Sequence, residues 1–153
     1  MKFEDAIYGV THLYIETAPF IYFTEARTVY ADKMRAIFAE VSGGRVQVLT
    51  SAVTIPETLM KPLQANDAPL VTRYRTMFYH TKGISVVSVS PSAGDLAAEL
   101  RARYNLRTPD ALHVACAIDT GCDAFLTNDT GIKRVSEIQI LILDDLELPD
   151  PAS

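Results

Sequence analysis

LRARYNLRTPDALHVACAIDTGCDAFLTND, residues 100–129, carries the pattern on which the fold turns. Residues 100–104 close one helix, and Thr108-Pro109 opens the next. Thr108 is a natural N-cap, and Pro109 sits in the first turn, where a missing N–H does no harm. From there to Thr120, Leu112, Ala115 and Ile118 recur at helical spacing and mark an inward face. Gly121 is the natural residue just past the helix end, because glycine takes the left-handed conformation without a Cβ penalty. Residues 124–127 (AFLT) read as a short buried strand, and Asn128-Asp129 as the start of the turn that leaves it.

The alternation continues on both sides. Upstream, residues 10–15 (VTHLYI) form a strand that ends at Glu16, and Ala18-Pro19 begins a helix. Tyr30, Met34, Ile37, Phe38 and Val41 keep helical spacing until Gly43-Gly44 stops them. A strand over 45–49 leads into a helical segment through Leu59 and Met60. Asp67-Ala68-Pro69 starts a further helix with Leu70, Tyr74, Met77 and Phe78 on one face, closed by Gly83. Residues 84–89 (ISVVSV) are β-branched and strand-like, and 92–104 form a helix with Leu96 and Leu100 inward. Downstream, 131–135 make a helical turn and 138–143 a last apolar strand. The acidic, proline-bearing tail after Asp144 is expected to be loose. Strands alternating with helices imply a three-layer α/β/α sandwich around a mainly parallel sheet. Its ligands would sit beyond the carboxyl ends of the strands.

Composition limits what such a domain does. With 153 residues, 48% of them hydrophobic, the chain fits one domain (1–153) with a real core. No apolar run approaches the ~18 residues of a membrane helix, and MKFEDAIYGV is not the start of a signal peptide. The two cysteines, Cys116 and Cys122, lack metal-ligand spacing and read as a buried small residue and a free thiol; the cytoplasm is the expected compartment. A net charge of −5 argues against coating nucleic acid nonspecifically. It leaves room for an enzyme that holds a few phosphates.

The chain has no GxxxxGK[ST] loop, no GxGxxG after the first strand and no GxSxG elbow. No DxD follows the first strand, and His12, His80 and His113 lack HExxH-like spacing. His113, one turn after Asp110, reads as a packed or supporting residue rather than a metal ligand. What remains is a set of carboxylates at strand and helix ends: Glu16, Glu57, Asp110 and Asp129. Each has a plain structural alternative. Thr54-Ile55-Pro56-Glu57 fits a capping box, Asp110 suits a helix N-terminus, Asn128-Asp129-Thr130-Gly131 fits an Asx turn, and Glu16 could be a solvated strand end.

The context of the four acids resembles one family. LYIETAPFIYF (13–23) resembles the opening of PIN domains, where an acid followed by Thr ends the first strand. SAVTIPETLMKPL (51–63) is similar to the family's second block, with Ser51 six residues before Glu57. The quoted stretch 100–129 matches the family's Arg-x-Pro-Asp-Ala-Leu-His helix and the Thr-Asn-Asp after the next strand. The similarity spans roughly residues 11–143. The family usually carries Asp where this chain has Glu16.

The resemblance implies a hydrolytic ribonuclease of the VapC toxin type, the toxic half of a toxin–antitoxin pair, with RNA as substrate. It assigns Glu16, Asp110 and Asp129 to metal binding and Glu57 to a further ligand or water-orienting role. Thr17, Thr127 and Asn128 would support these acids, and Arg107, Lys133 and Arg134 flank them and could hold phosphate or be plain surface charge. Crowded carboxylates repel one another and favour a hard cation, Mg²⁺ or Mn²⁺. The resemblance, with the aromatic helix Phe20-Ile21-Tyr22-Phe23 expected to be exposed, implies a homodimer and a groove for a VapB-like antitoxin. The alternative is a catalytically weakened PIN-fold module that binds RNA or protein.

Overall fold

The computed structural model describes residues 1–26 and 28–151. Its strands are β1 (His12–Ile15), β2 (Gln47–Ser51), β3 (Ile84–Val87), β4 (Ala124–Thr127) and β5 (Gln139–Ile142). Its α-helices are α1 (Phe3–Ile7), α2 (Thr17–Thr24), α3 (Thr28–Ser42), α4 (Thr54–Gln64), α5 (Ala68–His80), α6 (Pro91–Tyr104) and α7 (Thr108–Asp119). Two 3₁₀ turns, Thr130–Arg134 and Leu143–Asp145, flank β5. All strand pairs are parallel, in the order β3-β2-β1-β4-β5.

Parallel sheets are covered on both faces, which is why the central strands are apolar throughout rather than alternating. Leu13 and Ile15 of β1 point into one buried cluster with Leu126 of β4, Phe20, Met34, Ile37 and Phe78. Tyr14 and Phe125 point the other way, into a cluster with Leu100, Ala111, Val114 and Ala115 from α6 and α7. Among the described residues no helix is long and apolar enough to cross a membrane.

Several local expectations yield to tertiary contacts. The short α1 was hidden by Glu4 and Asp5 in a five-residue helix whose buried face is only Phe3 and Ala6. Thr108 lies inside α7, Arg107 takes the cap position, and no side chain caps that end. The capping box is not formed: Val53 precedes α4 without a side-chain cap bond, and the Thr54 hydroxyl pairs with Thr50 at 2.7 Å. Phe20 is fully buried rather than exposed, packed edge-on to Phe78, while Phe23 rests against Phe38 and Tyr22 stacks on Tyr30. The tail is held as far as Glu147, whose backbone bonds Met1 and Phe3, and Leu146 is buried. Residues 152–153 of the tail lie outside the described residues.

Strand order decides where a ligand goes. From β1 the chain builds outward to β2 and β3 on one side, then returns to place β4 and β5 on the other. The switch point is therefore between β1 and β4, the place where crevices open in such sheets. Asp123 anchors the opposite end of that pair. Its carboxylate accepts from the backbone N–H groups of Thr11 and His12 and from the Thr11 hydroxyl, each at 2.9 Å. The His12 and Thr11 N–H groups, in that order, hold its pKa below the ordinary carboxylate value. Replacing it with alanine should destabilise the fold by about 1–2 kcal/mol at neutral pH, discounted for solvent exposure. Because the folded pKa is depressed, this contribution is present above the ordinary carboxylate pKa and is lost as pH falls through the depressed one. In urea denaturation, the gap between wild type and Asp123→Ala should close in strong acid; a gap independent of pH would contradict the anchor.

Candidate active site at the sheet switch point

The last residue of β1 pairs with Leu126, and the Glu16 N–H bonds the Leu126 carbonyl at 3.3 Å. The carboxylate of Glu16 therefore leaves the sheet at the switch point, beside Thr127 at the end of β4. It is 7% exposed, which overturns the solvated strand end. The buried Thr127 hydroxyl donates to its Oε1, and the same Thr127 oxygen accepts from the Asp129 N–H at 2.9 Å. Burial pushes the Glu16 pKa up, only partly offset by Thr127 and His113, and the neighbouring charges of Asp110 and Asp129 push it further.

Glu57 comes from the first turn of α4, just after β2. Its Oε1 accepts from the Thr17 hydroxyl at 2.7 Å and lies 2.7 Å from Nε2 of His113. The hydrogen bond from His113 is the main reason its pKa falls below the ordinary value, with Thr17 adding to it against partial burial. His113 is 2% exposed, and its Nδ1 lies 2.7 Å from the Tyr14 hydroxyl oxygen. Tyr14 in turn donates to Ser51 Oγ at 2.9 Å. The direction of the Tyr14–Nδ1 hydrogen bond follows the imidazole tautomer, and both ring nitrogens are engaged. Burial holds the Tyr14 phenol far above its usual pKa, so it stays a neutral hydrogen-bonding group. A chain of side chains from β2, β1 and α7 thus ends on one oxygen of Glu57. The sequence puts His113 one turn after Asp110, and no local pattern joins it to Tyr14 and Ser51.

Asp110 sits in the first turn of α7 and accepts from Arg107 Nε at 3.1 Å. Asp129 forms the expected Asx turn, its Oδ1 accepting from the Gly131 N–H at 2.8 Å. Asn128 Oδ1 accepts from the Asp144 N–H at 2.9 Å, which leaves its amide N–H groups for other partners. Glu16, Thr17, Glu57, Arg107, Asp110, His113, Asn128 and Asp129 line one cleft of about 290 Å³ with Ala18, Ile21 and Tyr22. Lys133 and Arg134 are not among its lining; Lys133 faces Asp145 at 3.6 Å. Neither cysteine joins the site: burial raises both thiol pKa values, the unreactive condition.

The donor chemistry fits a hard divalent cation: four carboxylates face one cleft, and one of them is buried with its charge disfavoured. Among the described residues, no three His, Cys, Asp or Glu side chains are already gathered as ligands for one ion. A single ion would therefore take one or two of these carboxylates directly, with the rest acting through water.

A family model described as PIN domain matches residues 13–138. The chain belongs to the PIN-domain family. No curated protein matches it by sequence. Among solved structures, VapBC2 from Rickettsia felis, bound to a DNA fragment from its promoter, is 14% identical with a TM-score of 0.71, and the match covers 92% of this chain and 100% of that one. A toxin–antitoxin complex from Klebsiella pneumoniae is 16% identical with a TM-score of 0.66, covering 86% and 97%. VapC20 of Mycobacterium tuberculosis, a Sarcin-Ricin loop cleaving toxin, is 14% identical with a TM-score of 0.64, covering 83% and 98%. At such identities the likeness is one of fold.

The buried chain behind Glu57 has a measurable energetic role. Tyr14→Phe keeps the ring and removes only the hydroxyl, leaving Ser51 Oγ and His113 Nδ1 without that partner. Stability should fall by about 1–3 kcal/mol, the penalty for stranding buried polar groups. Chemical denaturation indistinguishable from wild type would show that the chain is not held as described.

Proposed function

We propose that this protein is a metal-dependent endoribonuclease that cleaves RNA phosphodiester bonds, the VapC-type toxin of a type II toxin–antitoxin pair. The observation that carries the reading is the meeting of Glu16, Glu57, Asp110 and Asp129 on one cleft at the switch point. The PIN family is one of nucleases, and a Sarcin-Ricin loop cleaving toxin shares the fold.

In this reading Glu16, Asp110 and Asp129 hold Mg²⁺ or Mn²⁺, directly or through water. The bound ion supplies Lewis-acid activation of a water molecule and offsets charge that builds on the phosphate. Glu57, with Oε1 engaged by Thr17 and His113, lines the cleft and can orient the attacking water and take up its proton. Thr127 fixes Glu16, and Thr17 fixes Glu57. The Asn128 amide and the Arg107 guanidinium are the donors available to the phosphate oxygens. Lys133 and Arg134, outside the cleft lining, would meet at most a more distant part of the RNA.

The toxin reading brings a VapB-like antitoxin and a homodimer as proposed partners. A groove of about 520 Å³, lined by Phe23, Phe38, Val41, Met77 and Ile84 with Arg73 and Lys82 beside them, offers an apolar helix of an antitoxin a place to bury its face. One observation favours the weakened binding module instead: the acid at the end of β1 is Glu16 rather than the family's usual Asp, with one oxygen already engaged by Thr127.

Millimolar Mn²⁺ should raise the melting temperature, because a ligand of the native state alone stabilises it by ~2.7 kcal/mol at a hundredfold excess over Kd. Asp110→Asn should abolish most of that rise and, in parallel, the cleavage of total RNA; a chelator should do the same to the wild type. A wild-type melting point unmoved by millimolar metal, with RNA left intact, would overturn the reading.

A further inference from the structure

Among the described residues, Arg107 is the one lysine or arginine lining the acidic cleft. Its backbone is fixed, extended just before α7, with its carbonyl accepting from the Ala111 N–H at 3.0 Å. The side chain is 79% exposed, whereas that of its partner Asp110 is 15% exposed. The arginine arm extends into solvent, while the aspartate is largely enclosed. Arg107 Nε donates to Asp110 Oδ2 at 3.1 Å, and its charge is also favoured by Asp129 and Glu57 across the cleft. The guanidinium therefore occupies an oxygen that a hard cation would seek, in a cleft where no three carboxyl or imidazole groups are gathered as ligands among the described residues.

We propose that Arg107 competes with a divalent cation for Asp110 and, once displaced, binds a phosphate of the RNA. It is thereby a brake on metal loading and a substrate contact in one side chain. The inference rests on the metal-dependent nuclease reading above. Two cations cannot share the same lone pair of Oδ2, and a guanidinium held there repels a second cation at Oδ1, so an ion binds Asp110 best when the arginine has left. An exposed ion pair is weak, so the brake is mild. A freed guanidinium suits phosphate, to which it can donate two parallel hydrogen bonds.

The test reads two quantities that should move in opposite directions. Mn²⁺ affinity of the full chain is measured by titration calorimetry, and cleavage of a single-stranded RNA oligonucleotide is measured at saturating Mn²⁺. Arg107→Ala should bind Mn²⁺ about 3- to 5-fold more tightly, the upper part of the range for a weak ion pair released. It should also show a KM for RNA raised by about 5-fold or more. Arg107→Lys should fall between wild type and alanine in both. Arg134→Ala makes the same change in net charge outside the cleft lining and should leave Mn²⁺ affinity within about twofold of wild type. Equal or weaker Mn²⁺ binding by Arg107→Ala, or an equal gain in Arg134→Ala, would overturn the competition. An unchanged KM would overturn the phosphate contact. Failure of the wild type and every variant to bind Mn²⁺ would instead bring down the metal reading, and this inference with it.

Discussion

A carboxylate buried where a parallel sheet reverses its strand order is the constraint around which this molecule is arranged. Glu16 extends the pairing of β1 with β4 through its N–H bond to Leu126, then turns its side chain to the Thr127 hydroxyl. That position is dictated by the sheet, because β1 is central and buried on both faces up to Ile15. Desolvation there disfavours the charged form, and Asp110 and Asp129 add to the strain. For a carboxyl whose folded pKa is raised, the contribution to stability is most favourable when it is protonated. It is lost as pH rises from the ordinary carboxylate value through the raised one. At neutral pH an ionised Glu16 is thus a burden on the fold that a cation would relieve, which couples the chemistry of the cleft to stability. Perturbed acids gathered in a cleft are a physical mark of a functional site.

The other acids are supported differently. Glu57 owes its lowered pKa chiefly to His113, so this cleft contains one carboxylate pushed towards protonation and one held in the ionised form. Environments that drive like groups apart commonly separate their roles. Glu16 is a group that gains from a cation, while Glu57 is an acceptor held towards its ionised form, with one oxygen engaged by Thr17 and His113. The chain Ser51–Tyr14–His113 runs through the second buried cluster, so packing on the far side of the sheet from α2 and α3 sets the orientation of Glu57.

Much of the architecture was legible because parallel strands buried on both faces leave unbroken apolar runs, and Gly43-Gly44, Gly121 and the X-Pro pairs punctuate them. The four acids were legible from their places at strand and helix ends and from the motif context. What escaped was non-local. Tyr14 reads as an ordinary strand residue, yet its hydroxyl meets Ser51 and His113, 37 and 99 residues away along the chain. Thr54 and Glu57 satisfy a local capping rule, but each has a better partner from another element: Thr50 for one, and Thr17 with His113 for the other. Phe20 sits on a helix of nearly continuous apolar residues, so periodicity could not tell that Phe78 and Phe38 would cover it. Held groups such as the tail at Glu147 depend on contacts with the first residues of the chain, which no local pattern reveals.

The longer arm of Glu16 makes it the most direct test of the account. An aspartate at this position would fall short of Thr127 by about one C–C bond, and a displacement of ~1 Å can change a rate by on the order of a hundredfold. The decisive measurement is Mn²⁺-dependent cleavage of RNA by wild type, Glu16→Asp and Glu16→Ala, each checked for folding by circular dichroism. The account predicts cleavage by the wild type, retained or increased cleavage by Glu16→Asp, and a loss of about a hundredfold or more in Glu16→Ala. Cleavage by folded Glu16→Ala at the wild-type rate would contradict the four-carboxylate site, and activity confined to Glu16→Asp would make this chain a binding module.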